Sequence, residues 1–333
     1  MGIGNPTTIR NILPVILITV ILVCHLRAAD IVLVKGTSSA GPSERNYANY
    51  VFNLMERRLK KFGISFDTTD DDNMAKAFSK NVSIAIFPYN PNFSNSQRAA
   101  IKAFLTNNGK IIVFYSSDPV LAEMMGIKLG SYRNSDKYGR WSAVRFNKEA
   151  PAGTPAVMRQ ETRNIWTVYP ADKNSRIIAS WENSKGVLLE DPAVVRSDKG
   201  FWMTHVLLDD CDTMAKEQML AALIGAIKPA LGGQIAGTIA ENLRNDNHVK
   251  NAKHEFSKRK NDSTELKQIS DKLNRVELDL STAIKNGKYA QALDLVAEYH
   301  DAVFTAAAMM QEKRTGEFAG VWDHSGLGLY PGE

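Results

Sequence analysis

The chain has 333 residues, 44% hydrophobic and 23% charged, with a net charge of +5. These proportions belong to a folded chain and exclude a disordered or collagen-like one, and the length allows about two domains. With 41 basic against 36 acidic residues there is no one-sided charge of the kind a nucleic-acid binder carries, and two cysteines cannot staple a fold, so buried apolar area must hold it together.

Residues 1–29 read as a secretory signal peptide. Met1 to Arg10 is polar with one positive charge, Ile12 to Leu26 is an almost unbroken apolar run, and Ala28 and Ala29 follow. The run is shorter than the roughly 20 residues that cross a bilayer. No stable membrane span is therefore expected once it is removed, an uncleaved anchor being the alternative. Val23 precedes Cys24 where a lipoprotein would carry a small residue. Loss of the segment removes Arg10, Arg27 and Cys24, takes the charge from +5 to +3 and leaves Cys211 as the one cysteine. Such a chain fits a bacterial periplasm or a secreted bacterial protein.

Strands and helices alternate over residues 30–231. Ile31 to Val34 is wholly apolar, as in a strand buried on both faces, and ends in Lys35-Gly36-Thr37-Ser38-Ser39. Ser43 to Phe62 has helical spacing, with Tyr47, Tyr50, Val51, Leu54, Leu59 and Phe62 largely on one side, Ser43 as N-cap and Gly63 as stop. Ile64 to Phe66 is a second strand, Asp70-Asp71-Asp72 opens a short helix, and Val82 to Phe87 is a third strand. Ser94 to Asn108 is a helix and Ile111 to Tyr115 a fourth strand. The pattern predicts an α/β fold, a doubly wound, mostly parallel, flavodoxin-like sheet whose ligand loops are Gly36–Pro42, Pro88–Phe93 and Ser116–Pro119. After Gly130 the segments Trp141–Phe146, Ile177–Trp181, Gly186–Leu189 and Phe201–Leu208 read as antiparallel additions, with a hairpin turn at Asp198-Lys199-Gly200. Thr213 to Ala230 closes the domain as a helix.

Gly232, Gly233 and Gly237 mark residues 232–246 as a linker. Over 247–315, Leu266, Ile269, Leu273, Val276, Leu280 and Ile284, then Tyr289, Leu293, Val296, Val303, Ala307 and Met310, recur at three- and four-residue intervals around Asn286-Gly287-Lys288. This predicts a C-terminal antiparallel helical hairpin with a coiled-coil-like seam. The basic cluster Lys250, Lys253, Lys258, Arg259 and Lys260 has Glu255 and Asp262 beside it and reads as a solvated helix end, with no nucleic-acid partner.

Residues 316–333 begin a strand, Glu317 to Trp322, that exits into Asp323-His324-Ser325-Gly326 and finds no partner strand in what remains of the sequence. The run Gly316 to Gly326 resembles the opening of the glycosyl-hydrolase-like barrels related to family ten glycosidases. The resemblance implies that the chain is a fragment or truncated product, with a barrel cut off after its first strand, and it makes Trp322, Asp323 and His324 candidate substrate contacts. Residues 30–231 resemble the class I glutamine amidotransferase-like fold found in trehalose-utilisation-like and β-galactosidase trimerisation modules, chiefly through Gly200 to Asp210 and the helix that follows.

An active amidotransferase needs a cysteine on a strand-to-helix turn, with a histidine and a carboxylate. Here the turn reads Phe114-Tyr115-Ser116-Ser117-Asp118-Pro119, so Ser116 or Ser117 with His205 are the candidate catalytic residues. Glycosidases need two carboxylates at the ends of later barrel strands, and those strands are absent. Residues Lys35 to Gly41 resemble a phosphate loop in composition but lack its Gly-Lys-Ser/Thr ending. His248 and His254 have no metal-ligand spacing, so no metal or cofactor is expected. Trp141, Trp166, Trp181 and Trp202 are candidates for stacking on sugars, with core packing the alternative. The expected function is a non-catalytic accessory portion of an exported carbohydrate-active, glycoside hydrolase-like protein, with carbohydrate and a second copy of the chain as candidate partners. The alternatives are a serine-dependent hydrolase using Ser116 or Ser117 with His205, and a structural oligomerisation module.

Overall fold

A computed structural model of the chain describes residues 29–259, 263–315, 320–322 and 329–331. The expected signal segment up to residue 28 lies outside them, as do Asp323 and His324.

The first half alternates as β1 (Ile31–Lys35), α1 (Arg45–Lys61), β2 (Phe66–Asp70), α2 (Met74–Phe78), β3 (Ile84–Phe87), α3 (Asn95–Thr106), β4 (Lys110–Val113) and α4 (Pro119–Met124). Seven strands follow: β5 (Ile127–Asn134), β6 (Trp141–Phe146), β7 (Val157–Thr162), β8 (Asn164–Pro170), β9 (Arg176–Glu182), β10 (Leu188–Ser197) and β11 (Gly200–Met203). One nine-stranded sheet has the order β2-β1-β3-β4-β11-β10-β9-β6-β7. Its first five strands are mutually parallel and the remainder antiparallel. The fold is α/β, and β5 and β8 form a separate antiparallel ribbon.

The apolar runs explain the layering. In β1, Ile31 and Leu33 face a core shared with Met55 and Leu59 of α1, while Val32 and Val34 face Met74 of α2 and Ile101 and Phe104 of α3. Both faces are covered, which is why these strands carry no polar alternation. The expected turn at Asp198-Lys199 is present, with Ser197 opposite Gly200. Gly200 has a φ of +135°, and a Cβ there would lie 1.8 Å from the Ile111 carbonyl oxygen. Pro42–Glu44 forms a short 3-10 turn, so α1 begins beyond Ser43 and no side chain caps it. Ser94 does cap α3, in a reciprocal capping box with Gln97.

Five further helices follow: α5 (Thr213–Ile227), α6 (Pro229–Asn245), α7 (Asn247–Arg259), α8 (Thr264–Lys285) and α9 (Tyr289–Thr315). In α5 every residue from Ala215 to Gly225 is buried, because the sheet covers one side and the later helices cover the other. Residues 232–245, expected as a linker, are helical. Leu231, Ile235, Ile239 and Leu243 give α6 a buried stripe, and one of its three glycines is a packing device: a Cβ on Gly232 would lie 2.8 Å from the Gly225 Cα and from Tyr289. One hydrophobic core therefore runs from Ile31 through α5 and α6 to Leu273 and Val296 of the α8–α9 hairpin. The tail strand expected to lack a partner has one. Residues Gly320–Trp322 pair antiparallel with Leu329–Pro331, Val321 opposite Tyr330.

Candidate functional site

In a sheet ordered this way ligands bind at the carboxyl ends of the parallel strands, where the connections after adjacent strands diverge. Here that point lies between β1 and β3. The chain fills it with its own groups. The Asp71 carboxylate, wholly buried, accepts the backbone N–H of Thr37 at 3.1 Å, Ser38 at 3.0 Å and Ser39 at 2.8 Å. Consecutive N–H groups pointing inward form an anion cradle, and an internal anion occupies it. The phosphate-like composition of Lys35 to Gly41 is thereby explained. Asp71 does not start a helix, as its place in Asp70-Asp71-Asp72 suggested; α2 begins at Met74, because the loop N–H groups take the carboxylate. Nearby, a Cβ on Gly36 would lie 2.2 Å from the Tyr89 carbonyl oxygen, and Asn90 Nδ2 donates to Ser39 Oγ at 3.2 Å.

The turn after β4 is held just as firmly. Asp118 is wholly buried and accepts from the N–H of Phe93 at 2.8 Å, Leu121 at 2.9 Å and the Arg98 guanidinium at 2.9 Å. Ser116 Oγ donates to the Pro91 carbonyl at 3.2 Å, and Ser117 Oγ donates to the same oxygen at 2.9 Å. Both candidate nucleophiles thus serve the loop after β3.

His205 follows β11, the neighbour of β4. Its Nδ1 is 3.0 Å from Val206 O and 3.2 Å from Gln160 Nε2, and its Nε2 is 2.9 Å from Thr162 Oγ1. Burial pulls its pKa down to about 4. A general base works best with a pKa near the operating pH, and this imidazole is neutral and occupied at both nitrogens. Among the hydrogen bonds of the described residues, none joins Ser116 or Ser117 to His205. Cys211 follows β11 as well; burial raises its pKa to about 11, far from the range of a reactive thiolate. Trp322 lies in the terminal pair of strands, and its side chain, like Asp323 and His324, is outside the described residues. No group of three His, Cys, Asp or Glu is placed to hold a metal among the described residues, and none of their helices is long and apolar enough to cross a membrane.

What the sequence reading missed is a tyrosine cluster on this same edge. Tyr89 lies two residues beyond β3 and Tyr115 two beyond β4; their rings stack at 5.2 Å and 13°. Tyr47, in the first turn of α1, meets Tyr89 edge-on at 5.1 Å, with Tyr50 beside it at 6.4 Å. On the other side Tyr132 of β5 is 5.9 Å from Trp166 of β8. Burial raises the pKa of Tyr47 and Tyr115 to about 12, with the nearby charges of Tyr50, Tyr132 and Glu44 adding to the effect; Tyr89 is raised further by burial and by the negative charge of Glu44. The phenols are therefore protonated at neutral pH. The available signal was a tyrosine two residues beyond each of two adjacent strands, Tyr89 inside a loop marked for ligands and Tyr115 just before one. Of the tryptophans that drew attention, Trp166 is the one beside Tyr132; Trp141, Trp181 and Trp202 lie in the core, and Trp141 and Trp181 donate to Asp191 and Thr204.

No protein-family model matches the chain, and no curated protein matches it. Solved structures overlay on about three fifths of it. The β-galactosidase of Rahnella sp. R3 is 14% identical over 60% of this chain and 31% of its own, with a TM-score of 0.46. A ThuA-like protein from Bacteroides uniformis is 13% identical over 59% of this chain and 90% of its own, at 0.45. The α-L-fucosidase isoenzyme 2 of Paenibacillus thiaminolyticus is 14% identical over 60% of this chain and 33% of its own, at 0.42. The chain thus spans about a third of those two glycosidases.

Proposed function

We propose that this chain is a non-catalytic accessory portion of an exported carbohydrate-active protein, and that the edge which carries a nucleophile in active amidotransferase-like domains serves here for binding or assembly. One observation carries the reading: the hydroxyls of Ser116 and Ser117 both donate to Pro91 O, while His205 is buried with both ring nitrogens bonded to Gln160, Val206 and Thr162. A serine nucleophile requires a base within hydrogen-bond reach, and each partner here is committed elsewhere. Export rests on the charged start and apolar run of residues 1–29.

The purified chain, incubated with chromogenic glycosides and separately with glutamine, should turn over neither. Turnover lost on Ser117→Ala or Ser116→Ala would replace this reading with the serine-dependent hydrolase.

A further inference from the structure

We propose that the edge of the sheet at which the parallel strands begin docks on a bilayer surface of anionic lipid headgroups, through Lys80, Lys102, Lys110 and Lys199 beside a cleft between α2 and α3. This goes beyond the accessory reading above and stands independently of it.

The strands β1, β3, β4 and β11 run parallel, so the residues that open them lie along one edge. Lys110 opens β4, Lys199 immediately precedes β11, Lys80 lies in the connection into β3, and Lys102 stands one turn before the end of α3. Lys110 Nζ donates to Asp198 O at 2.6 Å and Lys199 Nζ to Leu105 O at 3.5 Å, neutral partners that cancel neither charge. Lys80 reaches Asp67 at 3.5 Å with both side chains exposed, a pair that solvent screens, and Asp30 is already engaged by Lys228. At the opposite edge acids gather instead: Glu44 after β1, Asp71 and Asp72 after β2, and Asp118 after β4. The sheet domain is therefore polarised along its strands, positive where they begin. The same positive edge carries a cleft of about 370 Å³, where Phe78 of α2 and Phe104 of α3 stack at 4.4 Å and Lys80, Val82 and Asn107 complete the lining. Apolar surface beside ammonium groups matches the headgroup layer of a bilayer, where apolar and charged groups meet.

The occupant is indicated by where the chain enters the fold. The N–H groups of Ser83 and Ile84 donate to the Asp30 carbonyl at 2.9 and 3.0 Å, which fixes the entry to β1 on this edge, next to Val82 of the cleft. Only residues 27–30 separate β1 from the apolar run Ile12 to Leu26, a reach of about 14 Å at most. Whenever a bilayer holds that run, during export or afterwards, this edge is the part of the sheet domain brought to its surface. Lysines within a Debye length of anionic headgroups, about 10 Å at 0.1 M salt, are then drawn to them.

The test is lysine acetylation of the full chain in nanodiscs, read residue by residue by mass spectrometry. Discs of phosphatidylcholine are compared with discs of an equal phosphatidylcholine–phosphatidylglycerol mixture. In the anionic discs Lys80, Lys102, Lys110 and Lys199 should label about threefold more slowly or less, and high salt should erase the difference. Lys185 in the β9–β10 turn, at the far edge, and Lys285 at the end of α8, both exposed, should label alike in the two lipids. Lys102→Glu combined with Lys199→Glu should abolish the lipid difference at Lys80 and Lys110, with thermal melts certifying the fold. Equal labelling of the four lysines in both lipids, protection that extends equally to Lys185 and Lys285, or protection that survives the double substitution overturns the proposal. So does the same pattern produced in phosphatidylcholine discs by a soluble DNA duplex, which would make the surface a general polyanion site.

Discussion

Asp71 Oδ2 accepts the Ser39 N–H at 2.8 Å across 32 residues of sequence, so a carboxylate at the end of β2 shapes the loop that leaves β1. Asp71→Ala would strand three N–H groups in a buried site, each worth on the order of 1 kcal/mol or more. A loss of about 3 kcal/mol in urea unfolding is expected, with Asp71→Asn intermediate. Because the vacated cradle still favours an anion, formate should restore part of the lost melting temperature in Asp71→Ala and leave the unsubstituted chain unaffected. Equal responses in both would contradict the cradle.

His205 makes stability pH-dependent. Its folded pKa of about 4 lies below the ordinary 6.5, so between those values the unfolded chain binds more protons than the folded one. Stability then rises with pH: the full contribution is present above about 6.5 and is lost as the pH falls toward 4. The ceiling is about 3 kcal/mol, since each tenfold change in proton affinity is worth about 1.36 kcal/mol. Unfolding free energies at pH 7 and pH 5 should differ less in His205→Gln than in the unsubstituted chain; identical slopes would dissociate His205 from the effect.

Arg58 is 4% exposed and donates to Leu207 O at 3.0 Å, Leu208 O at 2.6 Å and Asp209 Oδ1 at 3.0 Å, tying α1 to the segment after β11. Arg58→Met would keep most of the stem and leave those acceptors unpaired, for a loss of about 2–4 kcal/mol. Arg58→Lys should recover little, since an ammonium cannot reproduce the planar fork. Chemical denaturation of the three proteins side by side gives the ranking.

Gly225 sits where α5 crosses α6, and a Cβ there would lie 2.6 Å from the Tyr289 ring. Gly225→Val should push α9 away at a cost of about 2 kcal/mol. Faster tryptic cleavage within residues 229–315, with the sheet domain still intact on a gel, is the expected signature.

The parallel half of the sheet was legible because β1, β3 and β4 are short, apolar and buried on both faces. Of the later strands, β6, β9 and β11 were legible as well, whereas β5, β7 and β8 were not. β5 reads Ile-Lys-Leu-Gly-Ser-Tyr-Arg-Asn and is mostly exposed, while β7 points Gln160 and Thr162 inward because His205 needs partners there. A buried polar residue looks like a solvent-facing one until its partner is located. Glycine misled in the same way at residue 232, where it permits close helix contact and breaks nothing. Tyr47 and Tyr50 were read as part of an apolar helix stripe, which their spacing allows; in the fold Tyr47 meets Tyr89 and Tyr50 lies beside Tyr47.

The nine-stranded sheet ends at β7, and there the outward N–H groups of Arg159 and Glu161 donate to Asp212 and Asp210 at 2.8 and 3.2 Å. The loop after β11 acts as a selvedge: a foreign strand arriving at this margin finds those two donors spoken for. Any higher-order association of this protein by strand addition is thereby steered to the opposite margin, at β2, whose Asp67 and Asp70 would set two carboxylates in the path of the newcomer.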